Sequence, residues 1–193
     1  MEKIFTDAGI ACRRLRIGVD FEAFYPLEES IERDGPLRIG WCGSRDKHGM
    51  KRGLEQYWEP AVRMAGCIPV LQLKEENLIT NDHELREKFY RNIDLYLCTS
   101  ITEGHPTGPL EAAACGVPTL STDCGVMPEL ITHGKSGWLV RRRVNAITEA
   151  LRAISVKGRD NLQTVGLAAR KVMERDWNWS KNVHDWIKYF EDC

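Results

Sequence analysis

CTSITEGHPTGPLEAAACGVPTLSTDCGVMPE, residues 98–129, decides the fold. The apolar run Asp94-Leu95-Tyr96-Leu97-Cys98 leads into it and ends in a polar turn holding Glu103, Gly104, His105 and Pro106. A small-residue helix follows, Glu111 to Cys115. Gly116-Val117-Pro118 then opens another short apolar run, which closes in Asp123-Cys124-Gly125 ahead of Pro128-Glu129. The order is strand, loop, helix, strand, with the chemistry held in the loop.

Open α/β sheets bind ligands beyond the C-terminal ends of their strands, and the loop 99–106 leaves such an end. Gly104 lets the backbone come close to a ligand. Thr107 is expected to cap the helix, and the free N–H groups of the first turn form an anion site. Pro109, near the helix start, sacrifices no intrahelical hydrogen bond. Ala112, Ala113 and Ala114 let the helix lie close to its neighbours. Glu111, about one turn in, can accept hydrogen bonds from two adjacent hydroxyls, as on a ribose, and Glu103 can hold other hydroxyls. A carboxylate is a poor phosphate contact. Two glutamates beside a phosphate site therefore point to a sugar nucleotide, not a bare phosphate.

Upstream, Leu37 to Cys42 is an apolar run bounded by Pro36 and Gly43, expected as the first sheet strand. The loop after it, residues 43–53 (GSRDKHGMKRG), is glycine-rich and basic and leaves the C-terminal end of that strand. Arg45 offers a fork of donors for phosphate oxygens, and a lysine offers a mobile point charge. The loop is not a P-loop, because it lacks G-x-x-x-x-G-K-[ST]. Leu54, Tyr57, Trp58, Ala61 and Met64 mark one buried helix face ended by Gly66. Ile68 to Leu73 reads as the next strand, and Lys74 to Asn81 as a polar loop. Asn81 or Asp82 can cap the helix that follows, and Asn81 with Glu84 resembles a capping box.

Downstream, Val117 to Ser121 reads as a strand. Ile147, Leu151 and Ile154 form one helical stripe and Leu162, Val165, Ala169 and Val172 a second, separated at Lys157-Gly158. The last helix, starting near Asn178 or Ser180, presents Trp179, Val183, Trp186, Ile187 and Phe190 as an aromatic face. That face is covered either by another domain or within a self-contained core. The fold class expected is α/β, an open, mainly parallel Rossmann-like sheet flanked by helices, with C-terminal helices.

Glu103 and Glu111, separated by seven residues within EGHPTGPLE, resemble the E-x7-E signature of retaining glycosyltransferases with the two-domain GT-B fold. The group most similar is glycosyltransferase family 4 (group 1), in its C-terminal donor-binding domain. AAACGVPTLSTDCGVMPELI resembles that family's A-x-A-x-G-x-P…G-G-x-x-E run, with Cys124 in place of the first glycine. Ile17-Gly18-Val19-Asp20 with Phe24 and Pro26 resembles the family's entry segment, His133 to Val140 its N-G-x-x-G-x-L-V turn and strand, and Trp177-Asn178-Trp179-Ser180 its F-S-W segment.

The resemblance implies roles, residue by residue. Glu111 would bind the ribose of a nucleoside-diphosphate sugar (UDP-, GDP- or ADP-sugar), and Glu103 would orient the transferred sugar. Gly104, His105, Pro106, Thr107 and Leu110 would complete the donor contacts, and Glu129 would be structural or sugar-facing. Arg45 matches the family's diphosphate arginine. For its lysine, Lys51 is favoured and Lys47 is the alternative. The catalytic set implied is Glu103, Arg45 and Lys51, the two cations stabilising charge that grows on the leaving phosphate. The reaction implied is sugar transfer with retention, without a metal or cofactor.

The domain reading is an N-terminal segment and linker over 1–36, a nucleotide-sugar-binding domain over 37–176 and a C-terminal crossover helix over 177–193. A full enzyme of this type has a second, N-terminal domain that supplies much of the acceptor site. The acceptor (glycan, lipid or small molecule) is therefore not legible. A noncatalytic nucleotide-sugar-binding or scaffold domain is the alternative.

Size and charge narrow the other classes. The 193 residues suffice for one domain with a sizeable core. A formal net charge of -1 gives no broad basic surface for nucleic acid. No apolar stretch approaches a membrane span, and the N-terminus lacks a long signal core. The expected location is cytoplasmic, with peripheral attachment to the inner face of a membrane as an alternative. The seven cysteines lie singly, with no CxxC pair. Cys42, Cys67, Cys98 and Cys115 are expected as small core residues. A dinucleotide-binding oxidoreductase would need G-x-G-x-x-G after the first strand, and Gly40, Gly43 and Gly49 have the wrong spacing.

Overall fold

In the computed structural model of the chain, residues 7–9, 13, 15–26, 33–44, 49–73 and 81–192 are described, 49 and 50 by their backbone alone. Arg45, Lys47 and His48 lie outside the described residues, as do residues 28–32 of the polar connector and 74–80 of the loop after the second strand.

Five strands form one sheet: β1 (Arg38–Gly43), β2 (Ile68–Leu73), β3 (Leu95–Cys98), β4 (Thr119–Thr122) and β5 (Trp138–Val140). Their order is β2-β1-β3-β4-β5, and every neighbouring pair is parallel. Ile39 stands opposite Leu95, Tyr96 opposite Thr119, and Leu120 opposite Trp138. The strand order reverses between β1 and β3, so the loops leaving those two strands flank the crevice where such sheets take ligands.

Strand alternation sorts the core into two layers. Leu95 and Leu97 point to one side with Ile39 and Trp41. They pack there against Leu54, Trp58, Ile147, Leu151 and Ile154. Tyr96 and Cys98 point to the other side, against Leu110, Ala112, Ala113, Ala114, Met127 and Leu130. All residues of β3 and β4 are buried, which is why their sequences read as continuous apolar or small-residue runs.

The helices cover both faces. The short α1 (Gly49–Arg52) leads into a π-helical turn, Leu54–Trp58, and then α2 (Glu59–Met64). The single helix expected over 54–64 is thus split. The Trp58 N–H reaches back five residues to the Gly53 carbonyl (3.0 Å), and Pro60, which has no N–H, sits in the first turn of α2. Helix α3 (Asp82–Lys88) is capped by Asn81, which accepts from the Glu84 N–H at 2.9 Å. The 3-10 turn Tyr90–Asn92 follows. Helix α4 (Thr107–Ala114) joins β3 to β4, and α5 (Met127–Leu130) follows β4. Helix α6 (Val144–Asp176) is two helices joined at Gly158, whose φ of 77° breaks the run where the two apolar stripes part. Helix α7 (Trp179–Glu191) buries no residue fully, and Trp179, Ile187 and Phe190 are exposed. No helix among the described residues is long and apolar enough to cross a membrane.

The entry segment closes against the exit. Val19 N–H donates to the Trp177 carbonyl (2.9 Å), Asn182 to that of Ile17 (2.9 Å), and Trp186 Nε1 to that of Arg16 (2.8 Å). Val19 and Phe24 are buried in the same layer as Trp177, so residues 17–24 help to complete the core.

The opposite rim of the sheet is fastened by Asp94, whose side chain is 6% exposed. It accepts from Arg33 Nη1 (3.2 Å), Arg159 Nη2 (3.2 Å) and the Arg38 backbone N–H (2.8 Å). One carboxylate thus ties the linker, β1, β3 and α6. Replacing it with Asn leaves two guanidinium groups without their counter-charge. Asp94→Asn is expected to lower unfolding stability by about 2–4 kcal/mol, read by urea denaturation, with an unchanged m-value.

Candidate functional site

The loop after β3 and the loop after β1 are stitched together at the backbone. Thr99 Oγ1 donates to the Arg52 carbonyl (2.7 Å), and the Ile101 N–H donates to the Lys51 carbonyl (2.8 Å). Arg142, just past β5, adds Nε to the Thr99 carbonyl (2.7 Å) and Nη2 to the Lys51 carbonyl (3.3 Å), with its guanidinium over the Tyr57 ring at 4.1 Å. These bonds bring the end of the basic loop onto the loop that carries Glu103.

Glu103 is partly buried. Its Oε1 accepts from Ser100 Oγ at 2.9 Å and lies 3.9 Å from Arg52 Nε. The Arg52 guanidinium also lies against Gly43 at the end of β1, where a β-carbon would collide with it. Arg52 therefore spans the crevice between β1 and β3. Lys51, favoured from the sequence, has an exposed side chain, and its backbone carbonyl is the group that the stitching uses. The two residues are adjacent on the last turn of α1, and a helical step of one residue turns the side chain by about 100°. Arg45 and Lys47 lie outside the described residues.

Gly104 is exposed at the loop tip, and His105 is half-buried, its ring edge-on to Trp177 at 5.8 Å between centroids. Arg16 lies over the same Trp177 ring (5.4 Å) and pairs with Glu129 (3.2 Å). The residue expected to cap α4, Thr107, is its first helical residue instead. Pro106 occupies the cap position with φ −69° and ψ 105°, and no side chain makes a cap hydrogen bond. The proline ring fixes φ and sets the chain on course for the helix one residue earlier than a threonine cap would. Leu110, expected among the donor contacts, is wholly buried in the core layer over Tyr96, so its side chain offers nothing to a ligand.

Glu111 is half-buried, and Tyr90 Oη donates to its Oε2 at 2.6 Å. The Gly108 carbonyl is 3.2 Å from the same hydroxyl. The one phenolic proton goes to the carboxylate, the stronger acceptor. Burial, and then the neighbouring Glu111 charge, hold the Tyr90 phenol well above its ordinary value, so it stays a donor. Ser100, Arg52 and Tyr90 were given no role from the sequence. Their only signal was proximity to the motif for Ser100 and Arg52, and for Tyr90 there was none within its own segment.

The turn after β4 closes the site from the far side. Gly125 has φ 54°, and a β-carbon there would lie 2.8 Å from the Glu103 carbonyl and closer still to that of Gly104. Cys124, just before it, is buried with its sulfur 4.0 Å from that of Cys98. The two thiols share one contact, so ionising either sulfur makes the other harder to ionise. A cavity of about 420 Å³ opens beside this rim, lined by Ser100, Ile101, Thr122, Asp123, Leu139 and Arg142. A second, of about 440 Å³, opens around Tyr25, Arg86, Asp94, Pro118 and Arg159 and extends to Tyr90. Glu103 and Arg52 stand at the C-terminal ends of β3 and β1, the rim where open parallel sheets take ligands. Among the described residues, no group of three or more His, Cys, Asp or Glu could hold a metal ion.

Comparison with known proteins bears on family and fold. Residues 77–171 match the family model described as glycosyl transferases group 1. WcaL of Escherichia coli, provisionally named a colanic acid biosynthesis glycosyltransferase, is 34% identical over 133 residues, covering 65% of this chain and 30% of its own length. The chain thus spans less than a third of that relative. The C-terminal domain of the group 1 glycosyl transferase LpcC from Francisella tularensis superposes with a TM-score of 0.63 at 19% identity, over 83% of this chain and 99% of that one. Sucrose-phosphate synthase from Thermosynechococcus elongatus superposes with a TM-score of 0.79 at 19% identity, over 99% of this chain and 56% of that one. Both superpositions speak to fold. Motif, fold and matched segment coincide: the chain belongs to the glycosyl transferases group 1 family and has the architecture of the C-terminal, donor-binding half of a GT-B glycosyltransferase.

Proposed function

We propose that this chain binds a nucleoside-diphosphate sugar in the crevice between β1 and β3 and presents it for transfer, with retention at the anomeric carbon, to an acceptor held by a second, N-terminal domain. The single observation that carries the reading is Arg52 set between the end of β1 at Gly43 and Glu103 in the loop after β3, with Glu111 on the helix that follows that loop. Glu111 takes the ribose hydroxyls and Glu103 those of the transferred sugar. The backbone of Gly104 to Thr107 and the start of α4 face the diphosphate, where helix N–H groups favour negative charge. Arg52 is the cation beside Glu103. Arg45, Lys47 and Lys51 are the site's further candidates from the sequence.

The chemistry follows from charge. Breaking the bond from the sugar to the diphosphate leaves negative charge on the departing phosphate, and a fixed guanidinium beside it lowers that barrier. Without a protein nucleophile, the departing phosphate oxygen is the base nearest the incoming acceptor hydroxyl, on the same face of the sugar. The exposed aromatic side of α7 suits contact with the N-terminal half, and the division into a segment over 1–36, a domain over 37–176 and a closing helix over 177–193 is retained within this proposal. An acceptor is not assigned.

Two experiments test this reading. Calorimetric titration of the chain with UDP, GDP, ADP and their sugars should give saturable binding to one nucleotide series, weakened about tenfold or more by Glu111→Ala. Binding that ignores Glu111→Ala would place the ribose elsewhere. Gly125→Ala forces a β-carbon against the Glu103 and Gly104 carbonyls from a left-handed backbone. It is expected to cost about 1–3 kcal/mol of stability, and to weaken the nucleotide sugar more than the parent diphosphate. Equal weakening of both would detach Glu103 from the sugar.

A further inference from the structure

The Tyr90 hydroxyl is buried, lies 21 positions before Glu111 in the chain and reaches its carboxylate at 2.6 Å. It cannot turn away. The ring is held edge-on by Phe24 (5.9 Å) and Phe89 (5.0 Å) and lies 6.4 Å from Tyr96. The 3-10 turn that carries it connects α3 to β3. The donor thus stands on a rigid aromatic platform, while the acceptor stands one turn into α4.

We propose that Tyr90 is a positioning residue for nucleotide binding: its hydroxyl holds one oxygen of Glu111 and so aims the carboxylate at the ribose diol. The inference rests on the assignment of Glu111 to the ribose. A carboxylate on a flexible side chain samples several rotamers, and binding a diol requires one of them. A buried donor on one oxygen selects that rotamer before the ligand arrives, so less freedom is lost on binding. A carboxylate oxygen is a strong acceptor for a hydroxyl. Tyr90 itself does not touch the ligand. It acts through Glu111, and its effect is confined to the part of the ligand that Glu111 contacts.

That confinement makes the proposal testable with the whole chain. The probes are whichever of UDP, GDP or ADP binds best and its 2′,3′-dideoxy analogue, titrated into wild type, Y90F and E111A. Y90F keeps the ring and its aromatic contacts. The expected result is about tenfold weaker binding of the ribonucleotide by Y90F, the scale of one hydrogen bond to a charged group, with the dideoxy analogue changed less than about twofold. E111A should erase the preference for the ribonucleotide, and Y90F should add nothing in an E111A background. A merely structural role for Tyr90 would weaken both probes equally, and that outcome overturns the proposal. So does an unchanged ribonucleotide preference in Y90F when E111A removes it, which leaves the ribose assignment standing. A preference that survives E111A, or no saturable binding by the wild-type chain, overturns the ribose assignment and the positioning role with it.

Discussion

The site depends on how closely helix Thr107–Ala114 can lie on strand Leu95–Cys98. A β-carbon on Gly108 would collide with the Tyr96 hydroxyl, which lies 3.3 Å from the backbone nitrogen of Cys42 at the end of the neighbouring strand. With no side chain at 108, the first turn of the helix settles against the sheet. Ala112, Ala113 and Ala114 continue the close approach, and Leu110 fills the space over Tyr96. Close packing of this kind forfeits much of its dispersion energy when a gap opens. The helix is therefore held to one depth, and Glu111 comes to the height of the Tyr90 hydroxyl.

The remaining parts are arranged around that depth. Parallel strands put all their C-terminal ends on one rim, and the reversal of strand order opens a crevice between two of them. The β3 loop is fastened to the basic loop through Thr99, Ile101 and Arg142. It is also confined by the Gly125 turn, whose approach to the Glu103 and Gly104 carbonyls excludes a larger residue. A helix thus carries Glu111, a fastened loop carries Glu103, and backbone forms the region assigned to sugar and phosphate. Asp94 holds the other rim shut with two arginines, away from the chemistry.

Much of this was legible in the sequence because it repeats at short range. The strand Ile68–Leu73 was read with its observed bounds, and the break at Gly158 falls where the two apolar stripes part. The E-x7-E spacing singled out the loop after β3, to which the proposal assigns the sugar. What the sequence left open or misplaced turns on single helical steps or on distant contacts. Lys51 and Arg52 differ by one step on the same short helix, and only the fold decides which one faces Glu103. Leu110 stands beside Glu111 in the motif, yet the helical turn between them sends one into the core and the other to the crevice. Threonine is the favoured cap in isolation, but Pro106 fixes the backbone first. Tyr90 carried no local signal at all, because its partner lies across a strand and a loop.

The measurement that tests the account most directly is a map of backbone amide shifts by NMR as a nucleoside diphosphate is added to the labelled chain. The account predicts that the perturbed amides cluster at 43–44, 51–53, 99–111 and 123–126, around one rim of the sheet. Shifts centred instead on the second cavity, around Tyr25, Arg86 and Arg159, would contradict it.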